Sequence, residues 1–306
     1  MERVSCELCG VDETTLYAVE NGYEAVRCVR CGLVYVSPRP TIDAMKQLYD
    51  GLETKIDVTA HIRRRDVKTA QARQSLRVIR REKANGRLLE VGSAAGYLLF
   101  EAKKIGYDVQ GLDITRPLVE FSRNVLGVPT HEGTLRDAPF AEGSFDVVYM
   151  RNVLSHLAYP RAEYSRVRSL LRPGGVLIFE TGNVAEVTPE VAGELELPDH
   201  LYLFGESTIR RLLELTGFSC RTVSRYGLIE HLGVARALAA PFRRGRGVPS
   251  SPTPGAHPHE LPKSTLGGRL EGVAGTVLRY YLGRVLPRRG RRCTLVVVAE
   301  RTEMGL

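Results

Sequence analysis

Three groups of residues in this 306-residue chain have the types and spacing needed for chemistry. The first is Cys6-Glu-Leu-Cys9-Gly10 and Cys28-Val-Arg-Cys31-Gly32, two C-x2-C-G turns with 18 residues between Cys9 and Cys28. Two cysteines three apart on a tight turn reach one ion together, and glycine lets the backbone fold back so that its amides approach the thiolates. Two such turns supply the four sulfurs of a tetrahedral Zn²⁺, leaving no open position, so the metal is expected to be structural. An iron centre would use the same ligands. The second group is Leu88-Leu-Glu90-Val-Gly92-Ser93-Ala-Ala-Gly96, an apolar strand entering a glycine turn that opens a helix over 97–104. Its G-x3-G spacing differs from the dinucleotide fingerprint. Asp113 ends the next strand, 21 residues after Gly92, where an acid accepts hydrogen bonds from both ribose hydroxyls of a bound adenosine. The third group is His156, in Leu154-Ser-His156-Leu, and His200, in Leu197-Pro-Asp199-His200. Imidazole takes up a proton near neutral pH, so either is a candidate base, with a loop-capping role as the alternative.

The elements that must position these groups follow from periodicity. Residues 41–85 read as helices, with Ile42, Met45, Leu48 and Tyr49 on one face and Leu76 and Ile79 continuing it. From Arg87 short apolar strands alternate with helical segments, the pattern of a parallel α/β sheet. The strands are expected at 88–91, 109–112, 145–150 and 176–180, with weaker ones near 128–131 and 218–223. A further strand at 293–300 comes some seventy residues later, after a Pro/Ser/Gly-rich stretch and an apolar helical stripe (Leu270, Val273, Ala274, Val277, Leu278, Tyr281, Leu282, Val285). Cys220 and Cys293 lack a partner motif and read as small packing residues.

Glu90-x-Gly92-x3-Gly96, Asp113, Phe145-Asp-Val-Val-Tyr-Met150 and Leu171-Arg-Pro-Gly-Gly175-Val-Leu, in that order, resemble the class I S-adenosylmethionine-dependent methyltransferases. A nicotinamide enzyme with a degenerate loop is the alternative. The resemblance implies a Rossmann-like seven-stranded α/β sheet, here with an N-terminal zinc ribbon and a helical insertion before the last, antiparallel strand. It places Glu90, Gly92, Ser93 and Gly96 at the methionine end of the cofactor and Asp113 on its ribose, with Ile114 beside the adenine. Thr134 and Leu135 border the adenine edge, and Arg151 ends the strand beneath the sulfonium. The family's (N/D)PP(Y/F) signature for ring-conjugated amino groups is absent after Met150, where Arg151-Asn152-Val-Leu stands.

The ribbon and histidine segment together resemble bacterial sugar and natural-product methyltransferases. In the sugar C-methyltransferases a Tyr-x-Glu-His stretch supplies the base; Leu197-Pro-Asp199-His200 keeps the histidine and an acid but not the tyrosine. Methylation of oxygen or carbon on a sugar or glycosylated precursor is therefore expected. His200 and His156 are the catalytic candidates, and Glu180, Asn183 and Tyr202 border the acceptor. The chain divides into a zinc ribbon (1–40), a helical cap (41–86), the core (87–228), a basic insertion (229–292) and the final strand with its tail (293–306).

Composition narrows the alternatives. Hydrophobic residues at 43% and charged residues at 25% describe a globular protein, and no apolar run approaches the roughly 18 residues of a membrane span. A charged, cysteine-bearing start gives no signal peptide, so a cytoplasmic location is expected. Net charge is +8 and uneven: residues 61–87 carry ten Lys/Arg against two Asp/Glu, and residues 229–306 carry thirteen against five. Such surfaces suit phosphates, an acidic partner or anionic lipid, or are solvated helix faces. Arg288, Arg289, Arg291 and Arg292 concentrate this charge, so the insertion is expected to meet an anionic acceptor, a partner protein or a membrane surface. A zinc-ribbon RNA methyltransferase or RNA-binding protein is the second functional reading. It is disfavoured by a ribbon with few basic residues and by the absence of a basic run interleaved with aromatics. A scaffold that keeps the fold without catalysis is the third.

Overall fold

The computed structural model describes residues 1–45, 62, 64–183, 185, 195–227, 266–277 and 293–302. Near the N-terminus, two antiparallel strands, β1 (Thr14–Glu20) and β2 (Tyr23–Cys28), lie between the cysteine turns, and β3 (Val34–Val36), antiparallel to β2, follows the second. Helix α1 (Arg65–Glu82) leads to β4 (Arg87–Val91), α2 (Tyr97–Lys104), β5 (Asp108–Asp113), α3 (Arg116–Asn124) and β6 (Thr130–Glu132). Then come β7 (Phe145–Arg151), a 3₁₀ turn at Leu154–His156, α4 (Pro160–Leu170), β8 (Leu171–Gly182), β9 (Tyr202–Leu203) and α5 (Glu206–Leu215). The chain continues in β10 (Phe218–Gly227), α6 (Leu266–Val277) and β11 (Cys293–Arg301).

The expected seven-stranded sheet is present, in the order β10-β11-β8-β7-β4-β5-β6. Strands β4 to β8 run parallel, and β11 is antiparallel to both neighbours. Side chains alternate between two covered faces, which is why these strands read as continuous apolar runs. Leu89, Val91, Val148, Met150, Leu177 and Phe179 share one core with Tyr164, Val167 and Ile209 of α4 and α5. Leu88, Val147, Tyr149, Val176 and Ile178 pack with Leu76 and Ile79 of α1 and Leu98 and Leu99 of α2. Helix α1 keeps Arg73, Arg77, Arg80 and Arg81 in solvent, so its charge is a solvated face there.

Strand β9 joins the other sheet. It pairs with β3 (Val34 with Leu203, Tyr35 with Tyr202), so the N-terminal unit is a four-stranded sheet, β1-β2-β3-β9, whose last strand comes from the histidine segment. Leu195, Leu197 and Leu203 complete its small core with Ala18, Ala25, Val34 and Val36. Two residues are too few for a pattern in sequence to announce a strand.

The described helix of the insertion, α6, corrects one expectation. Leu270 and Val273, read as a packing stripe, are exposed, by 36% and 58% respectively, and the face turned to α1 is glycine. A Cβ on Gly272 would lie 2.9 Å from both Ala70 Cβ and the Asp66 carbonyl oxygen. Close backbone approach has displaced the larger residues from the contact. Leu278, Tyr281, Leu282, Val285 and the four-arginine cluster lie outside the described residues, as do Leu48 and Tyr49 and the side chains of Val277 and Cys293. No helix among the described residues is long and apolar enough to cross a membrane.

Alanine normally stabilises a helix interior by about 1 kcal/mol over glycine. At Gly272 the contact with α1 reverses the sign: Gly272→Val should destabilise by about 1–3 kcal/mol through overpacking. Urea unfolding checks this, and a more stable variant would show that α6 does not pack on α1 as described.

Candidate active site and cysteine cluster

At the carboxyl end of β4 the chain turns through Gly92 (φ 71°), Ala94 (φ 46°) and Gly96 (φ 76°). These glycines also meet a constraint from the protein itself. A Cβ on Gly92 would lie 2.5 Å from Val153 Cγ2, and one on Gly96 would lie 2.3 Å from Ser122 Oγ. The turn is held against β5 by Gly92 and Ser93 amides, which donate to Leu112 O. Asp113 is fixed by two backbone amides, Ala94 N–H to Oδ2 (2.7 Å) and Thr115 N–H to Oδ1 (2.8 Å). Burial raises the Asp113 pKa, against the lowering effect of these amides. Ile114 beside it is 47% exposed. The Gly133 amide donates to Asp113 O, bringing the 133–135 loop to this strand end. Thr134 is exposed and caps Asp137 (2.6 Å), while Leu135 turns its side chain into the core.

Two buried polar atoms at this turn, Glu90 Oε2 and Ser93 Oγ, have no hydrogen-bond partner. Such atoms are costly unless a ligand or water satisfies them. Burial holds the Glu90 carboxyl well above the usual range; Arg151 opposes this, Asp113 adds to it, Lys68 opposes it and Glu180 adds again. Lys68 of α1 is pulled down to about 8 by its own burial and by Arg151 and Arg64. These residues suit a cationic, hydroxyl-bearing ligand.

Glu180 departs from its expected place at the acceptor. Its carboxylate is buried: Tyr149 Oη (2.7 Å) and Ser75 Oγ (2.8 Å) meet Oε1, and Arg151 Nε stands 3.6 Å from Oε2. Tyr202 is likewise corrected. Its buried hydroxyl donates to Ala158 O (3.2 Å) and accepts from Arg39 (3.1 Å), tying the N-terminal sheet to the core instead of facing an acceptor. Asn183 is buried directly after β8. Ser75, Tyr149, Lys68 and Arg39 escaped the sequence reading; on helical or alternating patterns they look like ordinary face residues.

The histidines meet. His156 and His200 lie with ring centroids 4.8 Å apart. His156 Nδ1–H donates to Asp199 O (2.9 Å), and the Asp199 carboxylate stands 3.3 Å from the same nitrogen. Burial would lower the His156 pKa, but these Asp199 contacts raise it above its ordinary value. His200 Nδ1–H donates to Leu195 O (2.8 Å), which fixes the tautomer and leaves Nε2 as the basic nitrogen; Glu196 Oε2 is 3.6 Å from it. Val153, whose methyl abuts Gly92, stands three residues before His156 in the chain.

The four cysteine sulfurs lie within 4.8 Å of one another. Sγ–Sγ distances of 3.3 Å (Cys6–Cys31) and 3.4 Å (Cys9–Cys28) are far too long for a disulfide. They are near the edge of about 3.8 Å implied by Zn–S bonds of about 2.3 Å. Gly10 and Gly32, at φ 70° and 75°, donate their amides to Cys6 O and Cys28 O to close the turns. Burial pushes the Cys6 thiol up. Cys28 comes down to about 7 because amides of Cys31 and Arg30 and the facing thiols outweigh its burial. A cavity of about 480 Å³ beside Cys9 and Cys31 is lined by Arg30, Arg161 and Arg211, whose charges would offset a tetrathiolate centre.

A parallel sheet completed by an antiparallel strand, with a glycine turn and an acid at adjacent strand ends, is the arrangement of a Rossmann-like methyltransferase fold. The chain belongs to the methyltransferase domain family, whose profile matches residues 60–223. It is 32% identical over 102 residues to a ubiquinone biosynthesis O-methyltransferase of Cereibacter sphaeroides, covering 32% of this chain and 41% of that one. To the protein of the same name from Nitrosococcus oceani it is 31% identical over 106 residues, covering 33% and 45%. The chain thus spans less than half the length of these curated relatives. Phosphoethanolamine N-methyltransferase 2 of Haemonchus contortus, solved with S-adenosyl-L-methionine, shares the fold with TM-score 0.52 and 17% identity, over 76% of this chain and 53% of that one.

If Asp113 holds the ribose, Asp113→Asn should weaken S-adenosylmethionine binding by about 1.5–3 kcal/mol, the worth of a hydrogen bond to a charged group. Calorimetry giving unchanged affinity would remove Asp113 from the cofactor site.

Proposed function

We propose that the chain methylates an oxygen of a sugar or glycosylated small molecule, with carbon as the alternative acceptor atom and His200 as general base. Bound S-adenosylmethionine supplies the electrophilic methyl group. Glu90, Ser93 and Gly96 would hold its methionine end, with Gly92 in the turn beneath, and Asp113 its ribose. Arg151 and Lys68 would balance charge there, while Ile114, Thr134 and Leu135 flank the adenine. Displacement at a sulfonium needs alignment, exclusion of water and, for a hydroxyl acceptor, removal of one proton.

The observation that supports this reading is the His200 hydrogen bond to Leu195 O, which holds the ring in the tautomer whose proton-accepting lone pair is on Nε2. In this reading His156, with its raised pKa, borders His200 as a second polar contact, and Asn183 lies on the acceptor side. Similarity to the ubiquinone biosynthesis O-methyltransferases supports oxygen as the acceptor atom. The four cysteines would carry a structural Zn²⁺, in keeping with their sulfur geometry. A cytoplasmic protein of this kind would draw on a nucleotide-linked or glycosylated pool.

The test is transfer of labelled methyl from S-adenosylmethionine to separate panels of nucleotide sugars, glycosides, phenols and total RNA. Label in a sugar-bearing product supports the reading, and label confined to RNA overturns it. With the accepted compound, His200→Ala should lower kcat by about 10²–10⁴-fold while cofactor affinity stays within twofold. Near-normal turnover would eliminate His200 as base. Cys28→Ser should lose the metal measured by atomic emission in reduced wild-type protein and leave S-adenosylmethionine affinity largely intact. Wild-type protein carrying neither zinc nor iron would exclude a metal centre.

A further inference from the structure

The base assigned to His200 has an acid behind it that belongs to neither its own segment nor the methyltransferase core. We infer that Glu20, at the tip of the β1–β2 hairpin, is a positioning residue for His200, acting through one peptide group. The inference rests on the proposed role of His200 as base.

The geometry is a chain of hydrogen bonds. Glu20 Oε1 accepts the amides of Glu196 (2.7 Å) and Leu197 (3.3 Å), and Oε2 accepts that of Leu195 (3.0 Å). Three consecutive backbone donors converge on one carboxylate, and Asn21 Nδ2 adds a fourth bond, to Leu197 O (2.8 Å). The Glu196 amide and the Leu195 carbonyl are two ends of the same peptide unit, and that carbonyl is the acceptor for His200 Nδ1–H. Glu20 therefore draws on the N–H side of the peptide while His200 donates to its C=O side. A carboxylate at the N–H pushes electron density toward the oxygen, strengthening its acceptor power toward the imidazole. The result resembles the orienting acid of a catalytic triad, with a peptide interposed between acid and ring.

The backbone conformation also depends on this carboxylate. Glu196 sits at φ 59°, a left-handed conformation that a non-glycine residue adopts at a cost. That conformation is what lets three successive amides point at one acceptor. The hairpin tip reaches the loop because β3 and β9 are paired and Leu195 and Leu197 are buried against Ala18 and Ala25. The cysteine-bearing unit thus supplies the histidine segment with both its sheet partner and its counter-charge.

The test uses the full chain with ¹⁵N-labelled histidine, the His156 and His200 signals being picked out from those of the seven histidines by loss in His156→Asn or His200→Asn. In wild type, His200 should show one tautomer, protonated at Nδ1, with slow Nδ1–H exchange. Glu20→Gln keeps the shape of the contact but removes its charge, and should speed that exchange about threefold; Glu20→Ala should speed it about tenfold and mix the tautomers. S-adenosylmethionine affinity should remain within twofold in both, since the core is untouched. Unchanged tautomer and exchange in Glu20→Gln and in Glu20→Ala overturn the inference; if Glu20→Ala does not fold, the Glu20→Gln result decides alone. None of these readouts requires turnover, so a failed relay is distinguishable from a His200 that is not the base.

Discussion

Two backbone pairings, Val34 with Leu203 and Tyr35 with Tyr202, govern how the upper half of the molecule is arranged. They take a segment that follows the fifth parallel strand and bind it to the cysteine-bearing sheet. Leu201 is gripped from both sides, its amide donating to Ser155 O and its carbonyl accepting from Val36 N. Leu201, between His200 and β9, therefore links the cysteine-bearing sheet to the turn after β7. Arg39 reinforces this junction from beneath. Its buried guanidinium meets Glu2 (2.9 Å), Ala158 O (2.8 Å) and the Tyr202 hydroxyl. Removing one partner from a buried charge is costlier than never burying it, so the junction tolerates little change.

The opposite side of the cleft is governed by charge. Glu90, Asp113 and Glu180 are brought together in the interior with Arg151 and Lys68 as the compensating cations. Glu180 is satisfied by Tyr149, Ser75 and Arg151, and Asp113 by two amides. Glu90 alone of the three keeps a buried oxygen with no hydrogen bond. An unmet acceptor thus lies at the glycine turn, where a donor on an incoming ligand would satisfy it. The other two carboxylates frame that position without competing for it.

Much of this was legible in the sequence because it depends on local rules. The seven core strands, the two cysteine turns and the acid after the second core strand are set by periodicity and spacing, and each was found within a few residues. The parts that were not legible depend on long-range contact. Strand β9 is two residues long, so no alternation marks it. Glu20 and the loop it grips are some 175 residues apart, and nothing in the turn Glu20-Asn21-Gly22 betrays its destination. Nothing local to Tyr202 or Glu180 shows that burial and hydrogen bonding turn both inward. Leu270 and Val273 were read as a contact stripe because sequence favours size, whereas the packed face of α6 is chosen by the smallness of Gly272.

Strand β11 lies between β10 and β8, yet 65 residues separate it in sequence from β10, and more than a hundred separate it from β8. A chain emerging from a ribosome would therefore complete five parallel strands and β10 long before the strand that joins them exists. During that interval both β8 and β10 carry open edges, and the apolar residues Leu177 and Phe179 await Leu295 and Val297. Unpaired apolar edges are templates for intermolecular pairing. The excursion is a delay in synthesis as well as an insertion in space. At translation speeds of about 5–20 residues per second, it leaves the half-built sheet exposed for several seconds.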